Sequence, residues 1–132
     1  NTILKQNFNQ PLSMQLILGL ILQFIGFAIG VPWQDALNFG SLLGTKIVLN
    51  EFVAYLDLSK LIAQNILSQK TIIMASYALC GFANFSSVAI QIGGIGAMAP
   101  SRKGDISALG LKSILGGTIA TLMTATIGGM LL

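Results

Sequence analysis

The sequence predicts an all-α integral membrane protein made of an interfacial or spanning first helix, a re-entrant helical hairpin, a discontinuous transmembrane helix and a final transmembrane helix. Three observations carry this prediction. The 132 residues are 54% apolar and 8% charged, 7 Lys or Arg against 4 Asp or Glu, and mean hydropathy is +0.81; soluble domains carry about 25% charge, enough to clothe a surface that faces water. The charges are also unevenly placed, with none over residues 6–34, none over 71–101 and none after Lys112. Finally, two apolar regions are broken internally by polar groups, at Asn50-Glu51 and across residues 81–87.

Residues 1–33 make the N-terminal segment. Its run LSMQLILGLILQFIGFAIGV, residues 12–31, is long enough to span: about 20 residues at roughly 1.5 Å each cover the roughly 30 Å hydrocarbon layer. Gln15 and Gln23 inside it, with Pro32 and Trp33 closing it, suit equally an amphipathic helix lying at the interface, where Trp is favoured. On the residues alone both geometries stand. With no initial Met and no basic leader, the chain is expected to be a piece of a longer protein.

Residues 34–69 read as the hairpin. Its two apolar stretches, 36–49 and 52–67, are each short for spanning and meet at Asn50-Glu51. Asn is a preferred helix N-cap and Glu is favoured in a first turn, so this pair starts the returning arm with its positive dipole end at the tip.

Residues 70–100 form the broken helix. The stretch 71–81 makes about 16 Å of helix and 87–99 about 20 Å, which puts the break near the bilayer centre. Gly81 can end the first half, and Asn84, Ser86 or Ser87 can cap the second. Backbone that is not helical at that depth is tolerated only when buried in protein or lining a cavity, and discontinuous helices are the usual form of a transporter site.

Residues 101–132 supply a short charged turn, then a last spanning helix from Ile106 rich in Gly, Ala, Ser and Thr, the small residues that let helices approach closely in lipid. Arg102 and Lys103 place that turn in the cytoplasm, and hence the start of the broken helix and the C-terminus outside.

Composition also closes routes to chemistry. With no His and one cysteine, Cys80, the chain can form no internal disulfide, no zinc cluster and no Cys/His nucleophile pair. No positioned acid and base pair is visible, so an enzyme is not expected. Scattered lysines without a basic stripe or interleaved aromatics argue against nucleic acid as a partner.

What remains is a polar constellation within the membrane. If Lys60 and Lys70 both lie near the outer interface, Glu51 is nine residues, about 14 Å, inward from the first, and Asn84 is fourteen residues from the second, near the same plane. The two breaks would then converge, one bringing a carboxylate and the other an amide with hydroxyls, a set suited to a polyhydroxylated solute. An intramembrane acid is by default a functional residue. Competing structural readings pair Glu51 with Lys46 or with backbone N–H groups at the tip, and for Lys46 this pairing is the favoured reading. Asn84 and Ser87 can serve as caps alone, and Phe82 and Phe85 can serve in packing. The run Gly93-Gly94-Ile95-Gly96 follows no strand, so helix packing or local unwinding suits it better than a phosphate loop.

The stretches GTK at 44–46, NEFVAYL at 50–56, SYALCGFANFSS at 76–87 and QIGGIG at 91–96, with LILG at 16–19 and GVPW at 30–33, resemble the concentrative nucleoside transporters over nearly the whole chain. The resemblance implies a homotrimer whose protomers carry a scaffold and a moving transport domain of two inverted repeats. Each repeat has an interfacial helix, a re-entrant hairpin, a broken helix and a spanning helix. This chain resembles the C-terminal repeat, which favours the interfacial geometry for residues 12–31. Carried to matching positions, the family's ribose-binding residues are Glu51, Asn84, Ser87 and Phe82. Beside these, Asn50, Lys46 and Ser86 are candidates for a supporting role from their own places in the hairpin and the break, and no metal ligand is expected. The residues that read the base, and the site of the coupling cation, Na+ or H+, belong to the first repeat, the N-terminal remainder of the same protein.

The function the resemblance implies is a cation-coupled nucleoside symporter, multi-pass in a bacterial-type inner membrane and without a bound cofactor. A membrane assembly module that does not transport and a passive channel subunit are the alternatives. Saturable exchange of nucleoside would separate the first from both.

Overall fold

The two polar interruptions become helix boundaries in the computed structural model, which describes residues 14–132. The described residues form six α-helices, α1 (Met14–Ala28), α2 (Trp33–Val48), α3 (Glu51–Ala63), α4 (Gln69–Leu79), α5 (Phe85–Met98) and α6 (Lys103–Met130), with a 3-10 turn at Pro100–Arg102 before α6. No strand occurs among them.

The predicted segment 12–31 begins two residues outside the described part; within it, helix runs for 15 residues. At 1.5 Å per residue that is about 22 Å, short of a hydrocarbon layer of roughly 30 Å. A turn through Gly30, whose φ of +104° is open to glycine, sends α2 back along α1. Backbones touch where they pass: a Cβ on Gly40 would lie 2.5 Å from the carbonyl oxygen of Gly19.

α2 and α3 make the hairpin, and the second arm ends earlier than its apolar run suggests. Helix stops at Ala63, Asn65 takes a φ of +54°, and Ser68 caps α4 by accepting from the Thr71 N–H. The run's last residue, Leu67, is buried against the core instead of extending the arm. α4 packs on both arms, burying Thr71, Met74, Ala75, Ala78 and Leu79 at helical spacing.

The broken helix stops at Leu79, two residues before the glycine proposed to end it, with Cys80 as C-cap. Gly81 follows with φ +140°, redirecting the chain toward α5. The uninterrupted α6 lies alongside both halves of the break as a splint. Met74 and Tyr77 of α4 meet Gly129 and Gly128, Ala83 of the break meets Gly117, and Val88 of α5 meets Gly110, each within 3 Å of where a Cβ would stand. The small residues thus do the packing expected of them.

α6 begins at Lys103 instead of Ile106. Pro100 starts the 3-10 turn, where its missing N–H costs nothing, and Arg102 bridges to Asp105 at 2.9 Å across the first turn. α5 continues as helix through Gly93 and Gly94, which meet nothing within 4 Å, and Gly96 packs on the stem of Lys103. By length and composition, the stretch Pro100–Met130 is the one among the described residues able to cross a membrane as a single helix.

Candidate functional site

The site is built where two helices start and two others end. The tip of the hairpin and the break in the long helix each carry an Asn at the N-cap with extended backbone. Asn50 accepts from the Val53 N–H at 3.0 Å, and Asn84 accepts from the Ser87 N–H at 2.7 Å. Glu51, the first residue of α3, and Asn84, 33 positions later, are brought into contact: the Asn84 amide Nδ2 donates to Glu51 Oε2 at 2.9 Å. A second bond joins the same two breaks, with Ser86 Oγ donating to the Leu49 carbonyl at 2.8 Å.

This arrangement partners both polar atoms of the Asn84 amide and one carboxylate oxygen of Glu51, and leaves a definite remainder. Asn84 is 0% exposed; its oxygen caps α5 and one amide hydrogen is given to Glu51, so one amide hydrogen is left. Glu51 is half-buried, with Oε1 and the remaining lone pairs of Oε2 open to further donors. Both groups sit at positive helix ends, α3 and α5, where a carboxylate is favoured. Phe82 is 75% exposed and Phe85 50%. Phe82 precedes Asn84 by two residues and its carbonyl accepts from the Asn84 N–H at 3.0 Å, whereas Phe85 helps line an apolar cavity of about 360 Å³ with residues of α1, α2 and α6.

Lys46 corrects the expectation made for it. It is 0% exposed, and no ion pair with Glu51 forms. Its Nζ instead donates to the carbonyl of Ala78 at 2.8 Å and to the hydroxyl of Thr121 at 3.3 Å. The reason is geometric: Lys46 lies in the last turn of α2, on the side that faces the end of α4, where helix carbonyls have no intrahelical donor. Glu51, beyond the tip, is already turned to the other break.

A second polar cluster escaped the sequence reading. Asp35, in the first turn of α2, is buried and its Oδ2 accepts from the Ser68 N–H at 3.0 Å, the Ser68 hydroxyl at 2.7 Å and the Thr71 hydroxyl at 2.6 Å. It ties the base of the hairpin to the start of α4, as Tyr55 Oη ties the returning arm to the Ser76 carbonyl at 2.7 Å. A pointer was available in the Ser68-x-x-Thr71 spacing of a helix start, which offers an acid several donors. A polar crevice of about 320 Å³ also opens between the arms, lined by Asn38, Ser41, Thr45, Asp57, Lys60 and Gln64 among others. Among the described residues no three His, Cys, Asp or Glu side chains gather as a metal site.

The profile described as "Na+ dependent nucleoside transporter C-terminus" matches residues 1–129. The chain is 52% identical to an uncharacterized transporter, YutK, of Bacillus subtilis over 118 residues, covering 89% of this chain and 29% of the relative. It is 47% identical to the nucleoside permease NupC of Helicobacter pylori over 124 residues, covering 92% and 30%. Among solved structures, the transporter CNTnw in an inward-facing, substrate-bound state is similar at a TM-score of 0.81 with 44% identity, over 89% of this chain and 29% of that one. A variant of it in an outward-facing state is similar at 0.80 with 43% identity, over the same shares. The chain thus spans about three-tenths of the length of these relatives, all of them transporters or permeases and none an enzyme. The helix breaks, the motif residues that form them and these likenesses agree: the chain belongs to the concentrative, Na+-dependent nucleoside transporter family and corresponds to its C-terminal domain.

Proposed function

We propose that the full-length protein is a cation-coupled nucleoside symporter, and that this chain supplies the half of the transport domain that holds the ribose. The observation that carries the reading is the 2.9 Å contact between Asn84 and Glu51, by which two separate helix breaks make one polar site. Glu51 accepts hydrogens from the ribose hydroxyls. Asn84 fixes the direction of the carboxylate and offers the sugar its remaining amide hydrogen, Ser87 adds a hydroxyl from the first turn of α5, and Phe82 covers the sugar's apolar face. Asn50 and Ser86 hold the tip and the break in register, the first as a cap and the second through the Leu49 carbonyl. The base is read by the N-terminal repeat, which also holds the coupling ion, Na+ or H+.

Movement follows from the same contacts. The hairpin and broken helix are bonded at tip, arm and base, and likeness to an inward-facing and an outward-facing transporter is nearly equal, at TM-scores of 0.81 and 0.80. Both facts support transport by a body that keeps its internal arrangement while it shifts against a scaffold. Phe24 and Phe27 of α1, both exposed, each lie in ring contact with exposed Trp33, an aromatic group that suits the membrane interface. The setting we infer is a homotrimer, multi-pass in the cytoplasmic (inner) membrane. An assembly module or passive channel subunit gains no support from the relatives, whose names are those of transporters and permeases.

The test is counterflow of radiolabelled uridine in liposomes holding the full-length protein, wild type and Glu51→Gln. Saturable exchange by wild type and its loss in the variant, by about 10-fold or more as for other hydrogen bonds to a charged group, is the expected result. Undiminished exchange with unchanged KM in the variant would remove the ribose role of Glu51.

A further inference from the structure

Lys46 carries a charge that the sugar site does not use. Its two hydrogen-bond partners are oxygen acceptors: the Ala78 carbonyl at 2.8 Å and the Thr121 hydroxyl at 3.3 Å. Thr121 gives its own hydrogen to the Thr118 carbonyl at 3.0 Å, so the oxygen facing Lys46 is an acceptor by construction. Lys46 is in the last turn of α2 and Ala78 in the last turn of α4, so the ammonium lies against the negative ends of two helices. Glu51 and its partner Asn84 lie at the positive ends of the next two. Acid and base thus each lie against helix ends and form no direct ion pair with each other.

Thr121 also touches the break itself, since a Cβ on Gly81 would lie 3.1 Å from its methyl group. One ammonium therefore pins the hairpin tip, the end of α4 and the splinting helix α6, three residues before the turn that leads to Asn84. A carbonyl at a helix C-terminus, as at Ala78, is a ligand of the kind that holds a free monovalent cation in transporters, and the Thr121 hydroxyl adds a second oxygen.

We propose that Lys46 is a tethered cation: its ammonium fills a monovalent-cation site at the junction of α2, α4 and α6, and as a positioning residue it holds Glu51 and Asn84 at their working distance. The positioning role rests on the nucleoside reading given above; the cation site does not. Shortening the side chain by Lys46→Ala empties the site while leaving both oxygen ligands in place. Small primary ammonium ions then have a place to bind, whereas Lys46→Met, neutral and of similar length, keeps it filled.

The experiment uses the full-length protein in liposomes. Lys46→Ala is expected to raise the KM for uridine about 10-fold or more, the scale of losing hydrogen bonds to a charged group. Methylammonium should lower it again saturably. Tetramethylammonium, which has no N–H, should not, and neither amine should change wild type or restore Lys46→Met. Methylammonium should also raise the thermal midpoint of purified Lys46→Ala protein, a readout independent of nucleoside, so an error about the substrate leaves this arm intact. A wild-type KM in Lys46→Ala, or a raised KM with neither rescue nor thermal shift, overturns the proposal. Should Lys46→Ala fail to accumulate, Thr121→Val decides: a raised KM for uridine at normal protein level supports it, and an unchanged KM overturns it.

Discussion

Asn50 and Asn84 do the same local work in different places. Each begins a helix from extended backbone and accepts the N–H of the residue three positions on, at 3.0 Å and 2.7 Å. Asn50 stops there: it is partly exposed at the hairpin tip, and no other side-chain bond is made by its amide. Asn84 is wholly buried, and its amide nitrogen reaches Glu51 across 33 residues of chain. The comparison teaches that capping type is written in local sequence, while the second bond, which joins a cap to the opposing break, is written in packing. It also separates two kinds of loss, of helix stability and of carboxylate orientation, which substitutions can address one at a time.

The largest effect is expected where both losses fall together. Asn84→Ala removes the cap of α5 and the donor to Glu51, about 1 kcal/mol and roughly 1.5–3 kcal/mol respectively, and should lower the kcat/KM of uridine uptake by about 100-fold. An effect below about threefold at normal protein level would show that the bond to Glu51 has no consequence for the site. The smallest effect is expected at the other cap. Asn50→Ala should lower stability by about 1 kcal/mol, visible as a drop in the thermal midpoint of the purified protein, with the KM for uridine within about twofold of wild type. If Asn50→Ala impaired uptake as much as Asn84→Ala, the distinction between the two would be lost.

Much of this was legible because helix breakers and caps are local signals. Asn50-Glu51, Gly81, Asn84 and the serines that follow could be placed at breaks from residue type alone, and depth counting from Lys60 and Lys70 was enough to bring Glu51 and Asn84 together. Boundaries moved by two to four residues where a neighbour decided them: Leu67 left the hairpin arm for the core, and the bridge from Arg102 to Asp105 drew the charged turn into α6. Lys46 was misassigned because charge suggests charge, whereas its partners are a backbone carbonyl 32 residues away and a hydroxyl 75 residues away. Asp35 went unnoticed for a related reason. Beside Trp33, at the edge of an apolar segment, an acid looks like a surface residue, and only the fold brings Ser68 and Thr71 to it.

The central claim is that Asn84 acts on the solute in part through Glu51 while Asn50 does not. A double-mutant cycle on the KM for uridine in the full-length protein tests it most directly, pairing Glu51→Gln with Asn84→Ser, which keeps a capping oxygen but not the amide donor, and with Asn50→Ser as the parallel cycle. The account predicts strong coupling in the first cycle, the double variant clearly less impaired than the product of the two single effects, and simple additivity in the second. Additivity in both cycles, or equal coupling in both, would contradict it.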